Sequence, residues 1–255
     1  MMKNLRSYDP IWMGVLTGLA ALILWYFSSI AIEKSITPVT DKVWPFFSAG
    51  LGAFFGSYFA YLFRKHEEQQ AKLKKRKSSL DACLFTLIRQ YNAMFQMKKE
   101  FEKHATILDR AFSMQAMKFP EYKDARIDFE NLSFLTEINE INQLLELTIE
   151  QERFEQTIIS MEIRNNFHIE KLQPAIEKTN INGRELPLEE IERLLGRLIF
   201  HTAINSATQT YTLLCKNLDS NHELHQKTWN IAKRIFPNQV FLKPSELHVK
   251  NKPDL

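Results

Sequence analysis

The chain has 255 residues, enough for one or two domains, and 33 Lys and Arg against 30 Asp and Glu leave a net charge of only +3. The charge is unevenly distributed: residues 1–77 contain 11 Lys/Arg and 5 Asp/Glu and carry +6, whereas the remainder carries −3. A basic region next to apolar sequence indicates contact with a membrane surface. It argues against direct nucleic-acid binding by a chain whose positive charge is spread along its length. The two cysteines, Cys83 and Cys215, are predicted to be reduced residues on helix faces.

Two long apolar segments predict membrane spans. Ile11–Ile32 and Val43–Phe63 have 22 and 21 residues without a charge, and about 20 helical residues cross a hydrocarbon core of ~30 Å. The alternatives are a cleaved signal peptide in the first segment and two buried helices of a soluble protein. A second apolar segment directly after the first argues against a signal peptide, and the absence of any charge argues against buried soluble helices.

Basic residues after the second segment predict its orientation. This basic block consists of Arg64, Lys65, Lys72, Lys74, Lys75, Arg76 and Lys77. Because Lys and Arg next to a span stay on the cytoplasmic side, we expect a membrane hairpin with both termini in the cytoplasm. The block is expected to contact lipid headgroups, so membrane lipids are the first predicted partners.

Small residues recur at four-residue spacing in both apolar segments. They are Gly14 and Gly18 in the first segment, and Ser48, Gly52, Gly56 and Ala60 in the second. Helices in lipid associate through close packing, which small residues allow. Two interpretations stay open: the two spans pack on each other within one hairpin, or they pack between copies and form a homo-oligomer. Neither span contains an ionisable residue that would indicate a proton relay.

The first half of the remaining chain predicts two long helices. An apolar seam with steps of three and four residues runs from Leu80 to Phe112, and Phe119-Pro120 should end that helix. Apolar residues in Glu121–Leu135 are expected to dock this connection onto the bundle. A second helix is predicted over Glu137–Lys178, with a kink near Pro174. Three polar residues in its seam either bind a ligand or fix helix register: Gln151, Asn165 and His168.

Two further helices and a tail complete the prediction. Thr179–Leu186 is a turn centred on Asn-Gly, and Pro187 then opens a helix that runs to about Ser220. A shorter helix is expected over Glu223–Ile235. The fold class is therefore an all-α membrane protein, with a transmembrane hairpin (1–77), an elongated cytoplasmic antiparallel bundle (78–236) and a tail (237–255).

No sequence pattern predicts catalysis. Nucleotide-binding and nucleophile motifs are absent from the sequence, so we expect neither an enzyme nor a bound cofactor. The pair His222 and His225 has a spacing that two metal ligands on a helix can use, but no third ligand is evident, and a surface pair is the expected arrangement. His168 and His201 are predicted to be buried in the core.

The order of parts resembles small bacterial anti-phage membrane effectors. The residues that carry this likeness are the spans Ile11–Ile32 and Val43–Phe63 and the basic segment Arg64–Lys77. The chain is similar in plan to the two-transmembrane effectors of some retrons and to SLATT-type effectors. This resemblance implies a location in the bacterial inner membrane and a cytoplasmic protein or ribonucleoprotein partner that holds the bundle inactive. Loss of the partner would let the spans assemble and permeabilise that membrane. The alternatives are a membrane-anchored scaffold or sensor and a channel subunit.

Overall fold

The computed structural model describes residues 10–34, 40–118, 122, 124–179 and 186–243; within these, the side chains of 10–16, 31–34 and 40–48 are not described. The described chain is helical with irregular connections and contains no strand. The helices are α1 (Pro10–Lys34), α2 (Thr40–Glu102), α3 (Phe129–Leu132), α4 (Phe134–Glu137), α5 (Ile141–Phe167), α6 (Gln173–Thr179), α7 (Leu188–Leu195) and α8 (Arg197–Ile235). Two π-helical turns add Asp109–Ser113 and His168–Leu172.

The chain divides into two units, Met1–Leu73 and Lys74–Leu255, and the division falls inside α2. In the part of the chain whose side chains are described, no helix is both long enough and apolar enough to qualify as a membrane span. The predicted spans thus gain no support here and remain predictions from the sequence. The flanking residues Lys3 and Arg6 lie outside the described residues.

The second unit has an apolar core between α2, α5 and α8. The α2 residues in it are Leu80, Leu84, Leu87, Met94 and Phe101, which are fully buried. From α5 come Leu147, Phe154 and Met161, and α8 contributes Leu214, Leu218 and Leu224. In α2 and α5 these positions are separated by three, four or seven residues, and in α8 by four and six, which places them on one side of each helix. The prediction of a helical bundle is confirmed. The apolar seam predicted from Leu80 to Phe112 is followed along α2 as far as Phe101, whereas Ala105 is exposed.

The connection between α2 and α5 docks onto this core as predicted. Its buried residues are Ile127, Leu132, Phe134 and Leu135, and Phe129 is partly buried against them. Asp128 caps α3, because its side chain accepts a hydrogen bond of 3.1 Å from the Asn131 amide. Burial of the apolar residues fixes this short connection against α2 and α5.

Helix α2 ends at Glu102, well before the predicted end at Phe119. Arg110 caps it: Nε donates to the carbonyls of Phe101 at 3.2 Å and His104 at 3.0 Å. A new turn starts at Thr106, whose hydroxyl accepts a hydrogen bond of 3.1 Å from the Asp109 amide. These polar contacts stabilise the end of α2 and the start of the next turn. The spacing of apolar residues carries no information about them, so the sequence did not predict the break.

The prediction of two helices over 187–235, broken near Ser220, is wrong. The break lies instead at Gly196, which has φ +80° and separates α7 from α8. Helix α8 continues through Ser220 and Asn221, whose side chains bind residues of other helices. His201 is exposed and lies 3.3 Å from Glu192, so its predicted burial is also wrong.

The second long helix is interrupted where a kink was predicted. Helix α5 ends at Phe167 and the π-helical turn His168–Leu172 leads into α6, which contains Pro174. Proline lacks the N–H that an α-helical hydrogen bond requires, and a wider turn accommodates it. Most of the predicted turn (180–185) and the tail beyond residue 243 lie outside the described residues.

Candidate functional site

The N-terminal unit presents apolar side chains on all faces of its helices. In α1 the exposed large apolar residues are Leu19, Leu22, Ile23, Leu24, Trp25, Tyr26 and Phe27. In the first part of α2 they are Leu51, Phe54, Phe55, Tyr58, Tyr61, Leu62 and Phe63. Successive helical residues are turned by about 100°, so a run such as Leu22–Phe27 surrounds the helix. A surface of this kind requires an apolar environment or a partner.

The small residues predicted to pack in the spans lie on open surfaces. A Cβ placed at Gly18, Gly52 or Gly56 meets no heavy atom within 4 Å outside the local helix backbone. Ala60 is exposed as well. The side chains of Gly14 and Ser48 lie outside the described residues. Packing of these residues within one hairpin or between copies therefore stays a prediction.

Two members of the basic block are engaged in the bundle. Arg76 forms an ion pair with Glu137, and Lys77 pairs with Asp81 at 2.7 Å. The Lys77 ammonium also lies 5.5 Å from the ring centroid of Phe241, which is buried in the core. These contacts join α2 to α4 and to the segment after α8. The other members of the block are Arg64, Lys65, Lys72, Lys74 and Lys75.

A buried polar layer crosses the core; we define it as Gln90, Glu150, Gln151 and Asn221. Gln90 Nε2 donates to Gln151 Oε1 and to the carbonyl of Ala125, both at 2.8 Å. The Asn221 amide donates to Gln90 Oε1 at 3.5 Å. Buried amides cost free energy unless they are hydrogen-bonded, so this layer favours one register of α2, α5 and α8.

Glu150 extends the layer towards the side of α8. Its Oε2 accepts hydrogen bonds from the Ser220 hydroxyl and from Arg153. Oε1 has no hydrogen-bond partner in the described part of the chain, although Asn221 lies beside the carboxyl. Burial raises the pKa of Glu150, and the Ser220 hydrogen bond opposes that rise. The carboxyl thus couples α5 to α8 through the Ser220 hydroxyl.

Arg164 and Asn165, adjacent residues of α5, bind the backbone of the π-helical turn Asp109–Ser113 and of the segment that follows it. The buried Arg164 guanidinium donates to the carbonyls of Arg110 at 3.3 Å and Met114. Asn165 accepts from the Met117 amide at 3.3 Å and donates to the Met117 carbonyl at 2.7 Å. Burial lowers the pKa of Arg164 to about 10, so it stays protonated at neutral pH. The charge stabilises a cluster of carbonyl groups instead of a carboxylate.

A cleft of about 660 Å³ lies between this segment and α5. Its apolar lining consists of Met117, Tyr122, Phe154, Ile158, Ile159 and Ile169. Arg126 and Glu155 form an ion pair of 3.3 Å beside it, and Gln151 and Asn165 also line it. Its volume lies within the ~300–1,000 Å³ of small-molecule sites. The cleft is therefore the candidate binding site of the bundle.

Two histidines are buried without full hydrogen bonding. Neither ring nitrogen of His225 has a partner in good hydrogen-bonding geometry among the described residues, although the Leu84 backbone lies beside the ring, and Nδ1 of His168 also lacks a partner. Burial lowers the pKa of His225 to about 4, with His222 adding to the effect. Burial and then the Arg164 charge lower the pKa of His168. The prediction of a surface pair is wrong for His225, because the ring packs in the core.

The sequence identified part of this arrangement. Gln151 and Asn165 were expected to bind a ligand or fix register, and the structure brings them to the backbone of residues 117–127. Gln90 and Arg164 were missed. Gln90 lies three residues after Leu87 and four before Met94, so its place in the seam was a usable signal.

Comparisons of the chain with protein-family models, with curated proteins and with solved structures found no match.

Proposed function

We propose that the protein is a membrane effector whose N-terminal helices insert into a bilayer and assemble with other copies there. The observation that carries this proposal is the exposure of apolar side chains around α1 and the first part of α2. A helix that is apolar on all sides is stable in a protein core or in lipid. Transfer of these side chains from water to lipid is favourable by roughly 1.5–3 kcal/mol for each large residue.

The open glycine faces support assembly between copies. No side chain of the described chain fills the space beside Gly18, Gly52 or Gly56. A second copy that packs there brings helix backbones close together, which is how helices associate in lipid. The members of the basic block that precede Arg76 would lie at the headgroup level and keep the bundle on the cytoplasmic side.

In this proposal the bundle controls assembly. A cytoplasmic protein or ribonucleoprotein that binds the closed bundle keeps the membrane helices apart, and its loss shifts the population towards the assembled form. The resemblance to two-span anti-phage effectors supports this sequence of events. The expected result of assembly is loss of the inner-membrane potential and arrest of growth.

The experiment is expression of the full chain in bacteria, with growth and membrane potential as readouts. We expect Gly52→Leu and Gly56→Leu to remove toxicity, because leucine prevents close approach at that face. Gly50→Leu is the matched control, since Gly50 also borders open space but lies on another face of α2. Toxicity of the Gly52 and Gly56 variants at equal expression would contradict assembly through this face.

The cleft on the bundle favours a second candidate function. A membrane-anchored scaffold or sensor would use the cleft of about 660 Å³ to bind a cytoplasmic partner and the N-terminal helices only as a tether. Replacement of residues 1–63 by an unrelated two-span hairpin separates the two candidates. A scaffold keeps its function after the exchange, whereas the effector loses its toxicity.

A further inference from the structure

Helix α5 has an apolar stripe on the side that faces away from the core. The stripe consists of Leu145, Ile149, Ile159 and Ile163, all of which are exposed. Leu145 is 60% exposed and Ile163 is 62% exposed, so no described residue of the chain covers them. At about 100° per residue the four side chains lie within an arc of about 80°. Two exposed pairs of large apolar residues on one face of a helix indicate a protein contact.

Two polar residues occupy the middle of the same stripe. Glu152 and Gln156 are exposed and lie between the two apolar pairs. The six positions are therefore separated by four, three, four, three and four residues. This spacing is the heptad pattern of a two-helix contact. It also reads the same in both chain directions, with its centre at residue 154.

We propose that this stripe pairs with the stripe of a second copy, with the two α5 helices antiparallel about a two-fold axis. Leu145 then faces Ile163 of the second copy, and Ile149 faces Ile159 of the second copy. Glu152 faces Gln156 of the second copy, whose amide donates to the carboxylate. Every apolar residue meets an apolar residue, and every polar residue meets a polar one, as a self-complementary two-fold contact requires.

A parallel arrangement of the same helices is less favourable. It places each Glu152 against the Glu152 of the other copy, so two like charges meet inside the contact. In the antiparallel arrangement Arg153 and Glu155 approach their own counterparts on the two flanks. Both charges are already paired within the chain, Arg153 with Glu150 and Glu155 with Arg126. Their repulsion is therefore reduced.

This inference goes beyond the proposed function, because it concerns the bundle and does not depend on membrane assembly. The test is disulfide cross-linking of the full chain in membranes, in a Cys215→Ser background. Two differently tagged chains are co-expressed, one with Leu145→Cys and the other with Ile163→Cys. The two positions lie about 27 Å apart along one helix, so a link between the tags joins two copies.

We expect a link between Cys at 145 and Cys at 163, and none in two controls. The first control is Ile159→Cys alone, which would link to itself only in a parallel pair. The second replaces Ile163→Cys by Glu162→Cys, which is exposed at the same height of α5 but about 100° away. A link at 159 without one between 145 and 163 would overturn the proposal.

A second pair of positions covers the case in which the first variants fail to fold. Ile149→Cys with Ile159→Cys tests the adjacent apolar layer in the same way. Absence of a link at both layers, in chains that retain their helical circular dichroism spectrum, would also overturn the proposal. Gly52→Leu should leave the 145–163 link unchanged, so failure of the membrane proposal and failure of this one are distinguishable.

Discussion

Gln90 on α2 and Gln151 on α5 share a hydrogen bond of 2.8 Å inside the core, although 61 residues separate them in the chain. Gln151 Oε1 also accepts a hydrogen bond of 3.1 Å from the Ile127 amide. One side-chain oxygen therefore joins two helices and the connection between them. Because buried polar groups must be paired, this contact restricts how the helices can pack.

Replacement of Gln151 by methionine is expected to destabilise the protein by about 2 kcal/mol, since the Ile127 amide loses its acceptor and the Gln90 amide keeps only the Ala125 carbonyl. The measurement is urea unfolding of the full chain. Gln173→Met is the matched control, because Gln173 is exposed and its side chain donates a hydrogen bond of 3.1 Å to the Glu177 carboxylate on the surface. The double variant Gln90→Met, Gln151→Met should cost less than the sum of the single changes. Equal effects of Gln151→Met and Gln173→Met would contradict this account.

Arg164→Met is expected to destabilise the protein by about 3 kcal/mol, because the carbonyls of Arg110 and Met114 lose a charged donor. The substitution should increase the rate of amide hydrogen exchange more over residues 110–117 than elsewhere in the bundle. Arg193→Met is the control, since Arg193 is exposed and pairs with Glu190 at 3.4 Å on the surface. Unchanged exchange over that segment would show that the guanidinium does not hold it.

The buried His225 predicts a dependence of stability on pH. Its pKa is about 4 in the folded chain and about 6.5 in the unfolded one, so the unfolded state binds the proton more readily. Stability is therefore full above pH 6.5 and falls as the pH drops towards 4, by roughly 2 kcal/mol from this residue.

The comparison that isolates this effect is His225→Asn against the unchanged chain, by urea unfolding between pH 4 and pH 7. The raised pKa of the Glu150 carboxyl acts in the opposite direction and is common to both proteins. We expect the difference in the free energy of unfolding to change with pH in that interval. A constant difference would mean that the His225 ring is not held neutral by its surroundings.

Gly196 connects α7 and α8 with φ +80°, and a Cβ there meets no atom within 4 Å. Gly196→Ala should therefore destabilise the protein by about 1–2 kcal/mol through backbone strain alone. Gly196→Asn should not be more stable than Gly196→Ala, since φ +80° combined with ψ 143° lies outside the left-handed helical region that asparagine tolerates. The measurement is thermal unfolding of the unchanged chain and of the two variants, which ranks their stabilities. An alanine variant as stable as glycine would contradict the strained conformation.

Apolar periodicity predicted much of the bundle but only part of its candidate site. Positions such as Leu84 and Phe154 were found because the spacing of apolar residues reports which face of a helix is buried. The role of Gln90 was not found, since a polar residue in a seam can equally face solvent or a partner. Arg164 was missed for the same reason. Its acceptors are carbonyl groups about 50 residues earlier, and carbonyl groups carry no sequence signal.

The sequence by itself determined that the second unit is helical and which apolar residues enter its core, because three- and four-residue spacing is a local property of a chain with few glycines. Only the tertiary structure decided where the helices end and which polar groups meet. Helix α2 stops at Glu102 because Arg110 caps it, and α8 passes through Asn221 because Gln90 and Glu150 surround that side chain. Such contacts depend on residues far apart in the chain, so their energies appear only once the helices have packed.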